Sequence, residues 1–114
     1  MNEFMMIFRH VPNAAYEPSP KELEAEMKKW QDWIGGIAAQ GKFVGTNQLT
    51  YEGKTVAPDG MITDGPYAEV KEVVGGYVFV KAASLEEAMD MTAGCPMFDH
   101  GGTVEVRKIM PSEF

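Results

Sequence analysis

Phe4-Met5-Met6-Ile7-Phe8 is apolar at every position, so a strand formed there has no wet side and is covered on both faces. The same is true from Gly76 to Ala82, where Tyr77, Val78, Phe79 and Val80 run on without a polar residue until Lys81. Both segments are expected at the centre of a sheet. Between them the period changes: Leu23, Met27, Trp30, Ile34 and Ile37 recur at helical spacing and predict one apolar stripe running to about Ala39. Ser19 supplies an N-cap, Pro20 the first helical position and Glu22 the second half of a capping box, while Gly41 supplies the stop. Lys42 to Tyr51, with Phe43, Val44 and Leu49 and with Gly45 interrupting, reads as a further strand. Lys54-Thr55-Val56-Ala57 and Met61-Ile62-Thr63 flank Pro58-Asp59-Gly60, a tripeptide suited to a tight reversal, and predict a small hairpin. Ser84 and Glu87 form a second capping box, opening a helix with Leu85, Ala88, Met89 and Thr92 inward and ending at Gly94. Thr103 to Ile109 alternates, with Val104 and Val106 on one side and Glu105 and Arg107 on the other.

The order strand, helix, strands, strand, helix, strand matches the split βαβ of ferredoxin-like domains, an α+β class. Two helices cover one face of a four-stranded sheet, yet two of the strands are apolar on both faces. The economical cover for the second face is a second copy of the same sheet, which predicts a homodimer of the dimeric α+β barrel type.

Length and charge narrow the function classes. A chain of 114 residues fits one domain, residues 1–114, with a core that needs no disulfide or metal to staple it. The lone Cys95 has no intramolecular partner and no tract resembles a leader peptide, which sets a cytoplasmic expectation. The apolar runs fall far short of the roughly 20 residues of a membrane span, so no membrane is expected. With 17 acidic against 10 basic residues and a net charge of −7, the surface repels polyanions, and direct nucleic-acid binding is not expected. The nine methionines read first as fillers of irregular apolar gaps. No Gly-Lys-Ser/Thr phosphate loop, Gly-x-Gly-x-x-Gly turn or Gly-x-Ser-x-Gly elbow occurs, so nucleotide and serine-hydrolase readings have no support and no cofactor is called for.

One segment is more specific than any of these. Asp64-Gly65-Pro66-Tyr67-Ala68-Glu69-Val70-Lys71-Glu72 resembles the D-G-P-F-A-E-T-K-E signature of the DGPF proteins in the YCII-related superfamily, departing from it at Tyr67 and Val70. Gly75-Gly76-Tyr77, Gly94-Cys95-Pro96 and the closing run Gly101 to Arg107 stand where that family has its further marks. The resemblance covers nearly the whole chain and implies a dimeric ferredoxin-like domain without a defined reaction. Two function classes follow from it. One is a homodimer that binds a small organic molecule near the Asp64-Gly65-Pro66 loop, with cofactor-free acid–base catalysis as its enzymatic form. The other is a non-catalytic sensor or interaction partner linked to transcription initiation through sigma factors.

The candidate site residues carry alternatives of their own. An Asp in a turn accepts from the N–H two residues on, but that residue is Pro66 and has none. The Asp64 carboxylate therefore either fixes its loop through Tyr67 or faces a cavity as a general base. His10, at the end of a central strand, is either an acid–base group or a strand-end histidine bonded to a loop. His100 is weighed with it as a ligand contact, and its neighbour Asp99 is a poor orienter because adjacent extended residues point apart. Arg9 and Arg107, expected on adjacent strands, either bind an anionic ligand or pair with Glu105. Tyr67 adds a hydroxyl where the signature has Phe. A pair of His10 or His100 with Asp64 is implied by the resemblance alone. Two histidines and scattered carboxylates make no spaced metal cluster. Cys95 lies at the wrong end of a helix to be activated as a nucleophile.

Overall fold

A computed structural model describes residues 1–12, 16–64 and 72–111, residue 64 by its backbone alone. Six strands and two α-helices follow in the order β1 (Asn2–His10), α1 (Pro20–Ala39), β2 (Phe43–Gln48), β3 (Lys54–Val56), β4 (Ile62–Asp64), β5 (Val73–Ala82), α2 (Leu85–Asp90) and β6 (Thr103–Lys108), with a 3-10 helix at Pro96–His100 before the last strand. Four strands form one antiparallel sheet in the order β2-β5-β1-β6, which is the ferredoxin-like arrangement. The two strands with continuous apolar runs, β1 and β5, are the central pair. β3 and β4 form a separate ribbon. Its reversal uses the expected residues: the Asp59 carboxylate accepts from the Met61 N–H at 2.9 Å and Gly60 takes a φ of 88°, a conformation that a side chain would strain.

Alternation along the central strands separates two faces. Phe4, Met6 and Phe8 of β1 and Val78, Val80 and Ala82 of β5 are buried beneath the helices, together with Ile37, Ala88 and Cys95. Val104 and Val106 of β6 pack on the same side. The aromatic part of this layer is a cluster in which Phe8, Trp30 and Trp33 meet edge to face at centroid distances of 5.2, 6.0 and 5.8 Å, the geometry that ring quadrupoles favour.

Both helices depart from the expected burial. The capping box at Ser19 and Glu22 is complete, but Leu23 and Met27 of the predicted stripe remain 49% and 60% exposed. Trp33, outside that stripe, packs on the core instead. The C-terminal half of α1 lies over the sheet, whereas its first turns run on to meet the 3-10 helix through Glu26–His100 and Lys29–Asp99 pairs at 2.8 and 3.5 Å. α2 is shorter than its pattern: only Ala88 is buried, and Leu85 and Met89 are exposed. Its capping box is half made. The Ser84 hydroxyl accepts from the Glu87 N–H at 3.1 Å, while the Glu87 carboxylate turns to Lys42 at 2.7 Å, whose ammonium holds it below its ordinary pKa. The helix closes where the Trp33 indole donates to the Met91 carbonyl at 3.0 Å, so a side chain from α1 satisfies a terminal carbonyl that another turn would have used.

Cys95 is enclosed, and burial pushes its thiol up to about 11. The unfolded chain ionises the same group from about 9, so between these values only the unfolded state loses the proton and stability falls as pH rises. Two pKa units correspond to about 2.7 kcal/mol. Urea unfolding at pH 9 and pH 11 is expected to show a loss of that order for the native chain and a smaller one for Cys95→Ser, with the difference in slope as the measured quantity.

Candidate functional site

On the face of the sheet away from the helices, β1 and β5 present Met5, Ile7, Tyr77 and Phe79, all half-buried although no helix of the described residues lies over them. Tyr77 and Phe79 meet edge to face at 5.1 Å, and the Tyr77 hydroxyl accepts from the Asn47 amide of β2 at 3.0 Å. Toward the C-terminal end of β1 this apolar floor becomes charged. Cross-strand register sets Ile7 opposite Glu105 and Met5 opposite Arg107, so Glu105 stands between two guanidinium groups. Arg9 Nε donates to Glu105 Oε1 at 3.3 Å, and Arg107 Nε lies 3.9 Å from Oε2. Pairing of both arginines with Glu105, one of the two alternatives in the pattern, is the arrangement found. One carboxylate serves both cations, and each guanidinium keeps donors to spare.

His10 follows Arg9 where the β1–β5 register shifts. Phe8 stands opposite Gly76 and Arg9 opposite Val74, which leaves Gly75 as the extra residue of a bulge, a device that re-aims side chains at sheet edges. The absent side chain matters there. A Cβ on Gly75 would sit 2.9 Å from both Cδ2 and Nε2 of His10, so the imidazole occupies the space a side chain would fill. The Gly75 carbonyl is held by the Leu49 N–H at 2.9 Å, and the chain beyond Leu49 brings Tyr51, whose hydroxyl lies 3.4 Å from His10 Nε2. A Cβ on Gly76 would meet a different obstacle, the Asn47 carbonyl at 2.8 Å. The first glycine seats His10, and the second lets β2 approach.

Beside this corner lies a cleft of about 360 Å³ that Arg9, Leu49, Val73 and Val74 line together with Glu52, Lys54 and Glu72. Tyr51 and Gly75 carried no chemical signal in the sequence. Tyr51 sits at the end of a predicted strand, and Gly75 is legible only as part of a Gly-Gly pair.

The remaining predicted residues fall elsewhere. His100 is in the helix layer, 2.8 Å from Glu26 and edge-on to Tyr16 at 6.0 Å, on the opposite side of the sheet from Arg9 and Arg107. Asp99 pairs with Lys29 and leaves His100 alone, as expected for adjacent residues. Asp64 ends β4 with its backbone opposite Lys54. Its side chain, Tyr67 and any pairing of Asp64 with a histidine lie outside the described residues. Among the described residues no three His, Cys, Asp or Glu side chains stand together as a metal site, and no helix is long and apolar enough to cross a membrane.

The sheet order thus agrees with the ferredoxin-like fold expected from the sequence. The YCII-related domain matches residues 2–113. The chain belongs to that family. No curated protein matches it.

The two glycines of this YCII-related chain predict different penalties. Gly75→Ala has only an imidazole to displace and is expected to cost about 1 kcal/mol, at the low end for overpacking, while changing the His10 ring resonances as the Tyr51 contact is lost. Gly76→Ala meets backbone and must move β2, with an expected cost of about 3 kcal/mol. Urea melts combined with His10 NMR spectra of the two variants check both the order and the cause.

Proposed function

We propose that the protein works as a homodimer in which a second copy closes the open sheet face, and that it binds a small organic molecule in the cleft between Arg9 and the loop after β2, next to the corner that holds His10. The observation that carries this reading is the uncovered face itself. Met5, Ile7, Tyr77 and Phe79 form an apolar floor on the two central strands, and leaving such a floor in water forfeits about 25 cal/mol for each Å². The floor runs directly into a corner that holds two guanidinium groups and an imidazole. Ligand sites have this composition, a mostly apolar surface with a few convergent polar groups.

His10 is the proton-transfer group of the site. The seat on Gly75 fixes the ring, and the Tyr51 hydroxyl lies 3.4 Å from Nε2. A cofactor-free isomerisation, elimination or hydrolysis is the chemistry such a group performs. Within the family we read the chain as a DGPF protein, on the strength of residues 64–72.

Light scattering is expected to return twice the chain mass. Phe79→Glu places an unpaired carboxylate in the centre of the floor and is expected to weaken association at least a hundredfold, about 3 kcal/mol, while leaving the far-ultraviolet circular dichroism unchanged. A native chain that stays monomeric at millimolar concentration would overturn the dimer and favour the non-catalytic, partner-binding class.

A further inference from the structure

The charges around Arg9 indicate what class of molecule the cleft takes. Arg9 and Arg107 share Glu105, and only Arg9 makes a hydrogen bond to it, through Nε to a single oxygen. A guanidinium binds planar oxyanions through either of two edges. With Nε committed to Glu105, the edge made by the two terminal nitrogens carries no other contact among the described residues. Arg9 belongs both to this charged group and to the cleft wall, so a guanidinium with donors to spare is available to the cleft. The side chain is 38% exposed, open enough to exchange partners.

The rest of the wall limits the anion. Leu49, Val73 and Val74 are apolar, while Glu52 and Glu72 also line the cleft, opposed by Lys54. Glu105, paired to Arg9 outside the lining, adds a third carboxylate near the anchoring guanidinium. A dianionic phosphate meets more repulsion there than a monoanion does. The volume of about 360 Å³ suits a molecule of ring size.

We propose that the cleft binds a small organic carboxylate, whose carboxylate takes the terminal edge of Arg9 and whose apolar body lies along Leu49, Val73 and Val74. This rests on the reading of the corner as a ligand site and adds the ligand class. His10 follows the anchoring arginine at the Gly75 bulge, and its ring reaches Tyr51 of the loop whose neighbouring residues line the cleft. Glu105 is the internal competitor: it occupies Arg9 in the empty protein, and an incoming carboxylate shares or displaces it.

Four probes with one ring and different head groups test the assignment on the full-length protein: benzoate, phenyl phosphate, benzylamine and benzamide, titrated while the Arg9 Nε–H and His10 ring resonances are followed by NMR. Benzoate is expected to shift both in a saturable way, at least tenfold more tightly than benzamide and more tightly than phenyl phosphate. Arg9→Gln is expected to weaken benzoate at least tenfold. Glu105→Gln removes the competitor and is expected to tighten it severalfold, so the proposal stays testable even if the Arg9 variant folds poorly. Preference for phenyl phosphate, benzylamine or benzamide, or a Glu105→Gln variant that binds benzoate no more tightly, overturns the carboxylate assignment and leaves the site reading standing. If none of the four moves either resonance, the site reading falls with it.

Discussion

Two adjacent strands that are apolar on both faces, in a chain with only one layer of helices, set the constraint on which the other features of this protein depend. Phe4, Met6 and Phe8 alternate with Met5 and Ile7 along β1, as Val78 and Val80 do with Tyr77 and Phe79 along β5. Because successive side chains point to opposite faces, no choice of register hides both sets under α1 and α2. The helices take the set that packs with Trp30, Trp33 and Ile37. The other set forms an open floor, and the same alternation delivers Arg9, Glu105 and Arg107 to that floor and away from the core.

The corner where the chemistry gathers depends as much on missing side chains as on those present. A one-residue bulge at Gly75 interrupts the β1–β5 ladder, and the vacated volume receives the His10 ring. Next to it, Gly76 allows the Asn47 carbonyl of β2 to come near, and this draws in the chain that carries Leu49 and Tyr51. A side chain at either glycine would open the corner from one side or the other. The Gly75-Gly76 pair thus serves the geometry of the site as well as the packing of the sheet.

Charge is distributed unevenly across the two faces. The chain carries a net −7, yet on the open floor two arginines meet one glutamate, and the helix layer pairs its own cations and carboxylates along α1 and the 3-10 helix. His100 belongs to that second group. Its contact with Glu26 joins the 3-10 helix to the overhanging half of α1.

Local and periodic features were legible along the chain. The capping box at Ser19 and Glu22, the Pro58-Asp59-Gly60 reversal, the central position of β1 and β5 and the facing of Glu105 and Arg107 all follow from interactions between residues close in sequence or from a period of two, and the sequence determined them by itself. The length and burial of the helices were less legible: Leu23 and Met27 fit the stripe but overhang the sheet, Trp33 packs inward from outside it, and α2 closes where an indole from α1 takes the Met91 carbonyl. Among the site residues, Arg9, His10 and Arg107 were visible as chemistry-bearing types near strand ends. The seat on Gly75, the approach of Tyr51 and the separation of His100 from His10 were decided by the tertiary structure alone. Each of these depends on segments dozens of residues apart meeting within a few ångströms, and neither propensity nor periodicity encodes that distance.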